Sequence, residues 1–118
     1  MRKVLPLLVL VLLAFGCQRG PATYEMTDNP RELVPHAEKF VNQVEKQSKH
    51  YKAADWDVAV EQFVVMTKDY IDKHPYLTQE EQMKFDNARI KFMASISANG
   101  TEEVAMEVKK VYAELMGN

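Results

Sequence analysis

Residues 78–96 have the sequence TQEEQMKFDNARIKFMASI, which contains the sharpest local helix signal of the chain. It opens with a capping box, in which the Thr78 hydroxyl accepts a hydrogen bond from the third backbone N–H and Glu81 accepts one from the Thr78 N–H. Apolar residues then recur on one helical face, at Phe85, Ala88, Phe92 and Ile96. A start signal followed by a periodic face predicts an amphipathic helix with one buried side.

Two helices are predicted before this stretch. Asn29-Pro30 is typical of a helix start, while Pro35 either kinks the helix or marks its real first turn, so the start stays open between the two prolines. The apolar stripes of residues 40–51 and 56–70 point roughly 120° apart, and one straight helix cannot bury both. We therefore predict a turn at residues 51–54, with Asp55 as the next cap, and a second helix that ends near Lys73.

One more helix is predicted after the stretch. Asn99-Gly100 favours a left-handed C-cap, and Thr101-Glu102-Glu103 then places acids in the first turn of a last helix. Four helical segments joined by short turns imply antiparallel neighbours. The sequence thus predicts an all-α fold, a small up-and-down bundle of three to four helices over residues 30–118.

Residues 1–16 have the layout of a cleaved secretory signal, with Arg2 and Lys3 ahead of an apolar run at residues 4–15. The run is shorter than the roughly 20 residues that a membrane-spanning helix needs. The segment Leu13-Ala14-Phe15-Gly16-Cys17 resembles the lipobox of bacterial lipoproteins, although Ala14 stands where Leu is usual. This resemblance implies that Cys17, the only cysteine, carries acyl chains such as palmitate and holds the mature chain on a membrane.

Residues 17–29 are predicted to form a lipid-anchored flexible linker, because they contain Gly20 and Pro21 and show no helical period.

Cleavage after residue 16 would leave 102 residues, enough for one domain, with 13 basic and 17 acidic residues and a formal charge of −4. A mildly acidic chain with interspersed signs argues against nucleic acid as a partner and against binding to an anionic lipid surface by charge.

Six short motifs follow one another along the chain: Val34-Pro35-His36, residues 40–47, Asp55-Trp56, residues 66–70, residues 77–81 and residues 86–89. In this order they resemble small helical lipoproteins of Bacteroidota, which carry a domain of unknown function with a central Asp-Trp and a downstream Leu-Thr-x-Glu-Glu. The resemblance covers residues 30–115 and implies a helical fold and a lipoprotein context without an active site. Those bacteria are thought to export lipoproteins with acidic residues after the cysteine, and Gln18-Arg19-Gly20 is not acidic. The resemblance therefore favours the outer membrane, facing the periplasm, over the cell surface.

The residues that could carry chemistry are scattered. No two of His36, His50 and His74 stand at the His-x-x-x-His spacing of helical metal sites, so we interpret them as solvent-side or helix-end residues. We interpret Asp57 and Glu61 as part of a solvated helix face. Two carboxylates act as an acid/base pair only where burial makes their pKa values differ, and nothing in the sequence indicates such a pocket. We find no nucleophile elbow, phosphate loop or dinucleotide motif, and so predict a non-enzyme without metal or cofactor.

The middle helices carry apolar residues away from their main stripes, at Val58, Val65, Met83 and Ile90. Such residues either extend the core or form a face that binds a partner. The leading hypothesis is a membrane-anchored interaction module that uses this face to bind another envelope protein. The alternative is a carrier of an apolar ligand or lipid in a bundle interior lined by Trp56, Phe63, Phe85 and Phe92.

Overall fold

The computed structural model describes residues 20–117, which fold into four α-helices. These are α1 (Pro30–Gln47), α2 (Ala53–Lys73), α3 (Gln79–Asn99) and α4 (Glu102–Leu115). Short 3₁₀ turns at Ser48–His50 and His74–Tyr76 join the first three helices. Over this part of the chain there is no β-strand, and the predicted all-α bundle is confirmed. None of the helices in residues 20–117 is long and apolar enough to cross a membrane.

Local hydrogen bonds define where α1 and α3 begin. The Asn29 side chain accepts a 2.9 Å hydrogen bond from the Arg31 N–H, so α1 begins at Pro30 and Pro35 lies inside it. The predicted capping box of α3 is confirmed: the Glu81 N–H donates to the Thr78 hydroxyl at 3.1 Å, and the Thr78 N–H donates to Glu81 Oε1 at 2.8 Å. Both starts follow from side chains within three residues of the helix.

The start of α2 differs from the prediction. Lys52, and not Asp55, is the N-cap, and α2 begins at Ala53. Asp55 occupies the third helical position, from which its carboxylate accepts a 2.9 Å hydrogen bond from the Lys52 N–H. Asp55 therefore has the role of the third-position acid in a capping box, whose carboxylate accepts a hydrogen bond from the backbone N–H of the N-cap residue.

The left-handed C-cap predicted at Gly100 is wrong. Gly100 does follow α3, but its backbone is extended, with φ −99° and ψ −166°. Its N–H donates a 2.7 Å hydrogen bond to the Ile96 carbonyl, and a Cβ at this position would lie 3.0 Å from the same oxygen. Glycine is needed here because the chain passes close to the last turn of α3.

The core lies where α1 packs on α3 and α2 packs on α4. Phe92 is stacked on Phe63, with ring centroids 4.6 Å apart, and lies 5.8 Å from Phe40. Tyr70 stacks on Phe85 at 3.9 Å. Each predicted face residue of α3 is buried, because these rings draw α3 against α1 and α2.

Residues 20–28, which we name the N-terminal strap, are not helical but pack on the bundle. Ala22 and Tyr24 are buried, and their N–H groups donate to the Tyr51 hydroxyl at 3.1 Å and to Gln62 Oε1 at 2.8 Å. The prediction of a flexible linker up to residue 29 is therefore wrong for this segment. Buried side chains and paired backbone groups compensate for the entropy that an ordered extended segment loses.

Candidate functional surfaces

A buried polar cluster joins the N-terminal strap to α2. The Tyr24 hydroxyl donates a 2.7 Å hydrogen bond to Asp69 Oδ2, and Lys73 Nζ donates to Asp69 Oδ1 at 2.5 Å. Asp69 is 2% exposed, and both partners are buried with it. One carboxylate buried among apolar neighbours therefore receives one neutral and one cationic donor, which is how proteins make a buried charge tolerable.

The Asp69 carboxylate raises the pKa values of both donors. Burial, followed by the hydrogen bond to Asp69, raises the pKa of Tyr24 well above its usual range. The hydrogen bond to Asp69 also raises the pKa of Lys73, against the opposing effect of desolvation. Both groups therefore keep their protons across the neutral range, and the cluster acts as a fixed clamp with no proton to transfer near pH 7.

This cluster was not predicted, although the sequence contains one signal for it. Lys73 occupies the next position of the buried stripe that contains Phe63, Met66 and Tyr70, at spacings of three and four residues. A lysine on a core stripe needs a buried acid, and Asp69 lies one helical turn before it. No local sequence signal predicts that Tyr24 joins the cluster, because Tyr24 lies 45 residues before Asp69.

The four residues predicted to form a partner face differ in exposure. Met83 and Ile90 on α3 are 63% and 51% exposed, while Val58 and Val65 on α2 are half-buried. Val65 packs against the core. The partner face stays a prediction, and within it the two α3 residues offer the accessible apolar surface.

The scattered polar residues stay apart in the structure. His50 and His74 are exposed, and His36 is half-buried with its Nδ1 2.8 Å from the Glu25 carbonyl oxygen of the strap. Asp57 and Glu61 are both exposed on α2. Within residues 20–117, no three His, Cys, Asp or Glu side chains come together in a way that could hold a metal ion.

The aromatic side chains that an interior carrier would use are packed on one another. Phe63, Phe85 and Phe92 are all buried and take part in the ring stacks of the core. The carrier hypothesis therefore has no support from the packing of these rings.

An open cleft of about 370 Å³ lies at one end of the bundle, beside the start of α2 and the start of α4. Its wall includes Tyr51 and Trp56, whose rings meet edge to face at 5.1 Å. The Trp56 indole N–H is buried and has no acceptor among the described residues, at a cost of about 1–3 kcal/mol relative to a paired group. Tyr51 also accepts from Ala22, so the strap begins at this same end.

Cys17, the predicted lipidation site, lies outside the described residues.

The chain matches no known protein family, no curated protein and no solved structure.

Proposed function

We propose that this protein is a lipid-anchored lipoprotein of the bacterial cell envelope whose helical bundle binds another envelope protein through one side of α3. The proposed anchor is the acylated Cys17, and its proposed location is the outer membrane, facing the periplasm. The proposal treats the bundle as a non-enzymatic interaction module. The lipobox-like leader supports the first part, and the surface of α3 supports the second.

The observation that carries partner binding is the exposure of Met83 and Ile90 on one side of α3. Every residue on this side is exposed, and we name the set the outer α3 face: Met83, Asp86, Asn87, Ile90, Ala94 and Ser97. At 100° per residue these six positions span an arc of about 100°. The face has apolar side chains in its middle and polar ones beside them, as protein interfaces do.

The two large side chains supply the driving force. Fully burying an exposed Met or Ile contributes about 1.5–3 kcal/mol each. They are seven residues apart, or about 10 Å along the helix, which suits one groove or one helix of a partner. The core does not explain their presence, because α3 already buries Phe85 and Phe92 on its other side.

Site-specific photo-crosslinking in bacterial cells tests partner binding. A photoreactive residue at Met83 of the full chain should yield a discrete adduct with one envelope protein. The matched control is the same probe at Met26, which is 61% exposed and lies in the N-terminal strap. Ile90→Asp, with the probe still at Met83, should abolish the adduct while the circular dichroism spectrum stays helical. Identical adducts from Met26, or an unchanged adduct in Ile90→Asp, would contradict the proposal.

Fractionation tests the anchor separately. The full chain should sediment with membranes and yield an acylated peptide that begins at Cys17, whereas Cys17→Ser should lose both properties. If Cys17→Ser stays on the membrane, the anchor proposal is wrong whatever the crosslinking result.

A further inference from the structure

The open cleft beside the starts of α2 and α4 has the size of a ligand site, and we name it the end cleft. Its volume of about 370 Å³ lies in the range of about 300–1,000 Å³ that is typical of such sites. Tyr51, Trp56 and Val104 form the apolar part of its wall. Among the described residues, no lysine, arginine or histidine contributes to the wall.

Three acidic side chains line the end cleft: Asp57 of α2, and Glu103 and Glu107 of α4. All three are exposed, and none forms a salt bridge within residues 20–117. The helix dipole accounts for Glu103, which lies in the first turn of α4. It does not account for Asp57 and Glu107, which are the fifth and sixth residues of their helices. The end cleft therefore carries a negative charge that the helices themselves do not require.

The arrangement of these carboxylates favours an organic cation over a metal ion. No three His, Cys, Asp or Glu side chains of residues 20–117 come together in a way that could hold a metal, so the three acids do not form a compact ligand set. A guanidinium or ammonium group on an apolar stem has a different requirement. Its head can approach carboxylates from two helices while its stem packs against the apolar wall.

The indole of Trp56 adds a second feature to the end cleft. Trp56 is 3% exposed, and its N–H is the only buried side-chain polar group of residues 20–117 without a hydrogen-bond partner. The neighbouring Tyr51 hydroxyl is already engaged, since it donates to Gln47 Oε1 at 2.9 Å and accepts from the Ala22 N–H. Because Trp56 belongs to the wall, a hydrogen-bond acceptor that enters the end cleft would lie beside this unpaired donor.

We propose that the end cleft binds an arginine or lysine side chain of an extended peptide segment in a partner protein. Such a segment carries a cation, an apolar stem and backbone carbonyl groups in one unit. These groups complement the carboxylates, the apolar wall and the indole N–H. The end cleft shares no residue with the outer α3 face, so this inference goes beyond the proposed function and does not depend on it.

Fluorescence of Trp56 measures binding in the end cleft directly, because Trp56 is the only tryptophan of the chain. The full chain, kept in a nonionic detergent, is titrated with an acetylated and amidated tripeptide of glycine, arginine and glycine. Calorimetry measures the same binding without a fluorescent signal. We expect saturable binding at millimolar concentration that weakens at high salt. Absence of saturable binding by both methods would overturn the proposal.

Two further probes identify what the end cleft recognises. The tripeptide with citrulline in place of arginine loses the charge and should bind at least about tenfold more weakly. Propylguanidinium has the head and stem of arginine without a carbonyl group, and it should also bind more weakly than the arginine tripeptide. Equal binding of the citrulline tripeptide would contradict recognition of a cation. Equal binding of propylguanidinium would contradict a peptide segment and identify a free organic cation as the ligand.

Paired substitutions test whether the acids of the end cleft act specifically. Asp57→Asn with Glu107→Gln should weaken binding of the arginine tripeptide by roughly tenfold, since each exposed ion pair favours binding by up to about fivefold. The control, Asp72→Asn with Glu114→Gln, removes the same charges from exposed positions near the other ends of the same two helices and should bind like the unchanged chain. Circular dichroism should show equal helical content in both. The same loss of binding in the two double variants would rule out a specific role for the end cleft.

Discussion

The Tyr24 hydroxyl lies 2.7 Å from Asp69 Oδ2, although the two residues are 45 positions apart in the chain. This hydrogen bond fastens the N-terminal strap to α2 beside the Lys73 ammonium. The cluster therefore connects a segment outside the four helices to the buried side of α2.

Removing the Tyr24 hydroxyl should destabilise the protein. Tyr24→Phe leaves the ring in place and takes one donor from a buried carboxylate, so we expect the free energy of unfolding to fall by about 1.5–3 kcal/mol. Tyr76→Phe removes a hydroxyl from an exposed ring and should change it by less than about 0.5 kcal/mol. Urea denaturation of both variants measures the difference. Equal effects would show that the hydrogen bond contributes little.

Removing the cation of the cluster should cost more. Lys73→Met keeps the length of the side chain but leaves the Asp69 carboxylate buried without its ion pair, which costs about 3–5 kcal/mol. Asp72→Asn is the control, because Asp72 is 3.4 Å from the same ammonium but its side chain is 78% exposed. An exposed pair of this kind contributes about 0–1 kcal/mol. Thermal and urea unfolding should therefore rank Lys73→Met far below Asp72→Asn, and the reverse order would contradict the role of the cluster.

The cluster also predicts a loss of stability in alkali. Tyr24 and Lys73 both have a raised pKa in the folded chain, so the unfolded chain releases these protons first, near its ordinary values of about 10. The folded state then binds more protons, so the stability that these two groups contribute is fully present below about pH 9 and is lost as the pH rises above about 10. Urea denaturation from pH 8 to pH 11 measures the slope. Tyr24→Phe should show a shallower slope above about pH 10, and an unchanged slope would count against a raised pKa at Tyr24.

The cap of α3 should contribute through a purely local effect. Thr78→Ala removes the acceptor of the Glu81 N–H and should lower the free energy of unfolding by about 1 kcal/mol. Thr78→Ser keeps the hydroxyl and should retain most of the stability. Circular dichroism during thermal unfolding compares the two, and an equal loss in both variants would point to packing of the Thr78 methyl group instead.

Phe92→Ala tests the central ring of the core. Phe92 is fully buried between Phe63 and Phe40, so its truncation should cost about 3–5 kcal/mol. Ile90→Ala, two residues earlier on the exposed side of α3, is the matched control and should cost less than about 1 kcal/mol. Calorimetric unfolding of both variants measures this contrast. A large loss in Ile90→Ala would mean that the outer α3 face is part of the folded core.

The helices of this protein follow from local signals in its sequence. Thr78 and Glu81 cap α3 through groups three residues apart, and the stripe from Phe85 to Ile96 depends only on the helical repeat. Such signals are local, so they identify the elements and the buried side of α3 without knowledge of the neighbours. The predictions at Asp55 and Gly100 failed because each position could adopt either of two local arrangements. The observed arrangements contain a 2.9 Å hydrogen bond from the Lys52 N–H to Asp55 and a 2.7 Å hydrogen bond from the Gly100 N–H to the Ile96 carbonyl.

Which residues form the surfaces of the bundle depends on contacts between distant parts of the chain. Residues 20–28 have the composition of a linker, and they become a strap because Ala22 and Tyr24 find partners in Tyr51, Gln62 and Asp69. Met83 and Ile90 have the spacing of core residues, and they stay exposed because α1 packs against the opposite side of α3. Burial depends on which helices become neighbours, and that is settled by contacts between residues far apart in the chain.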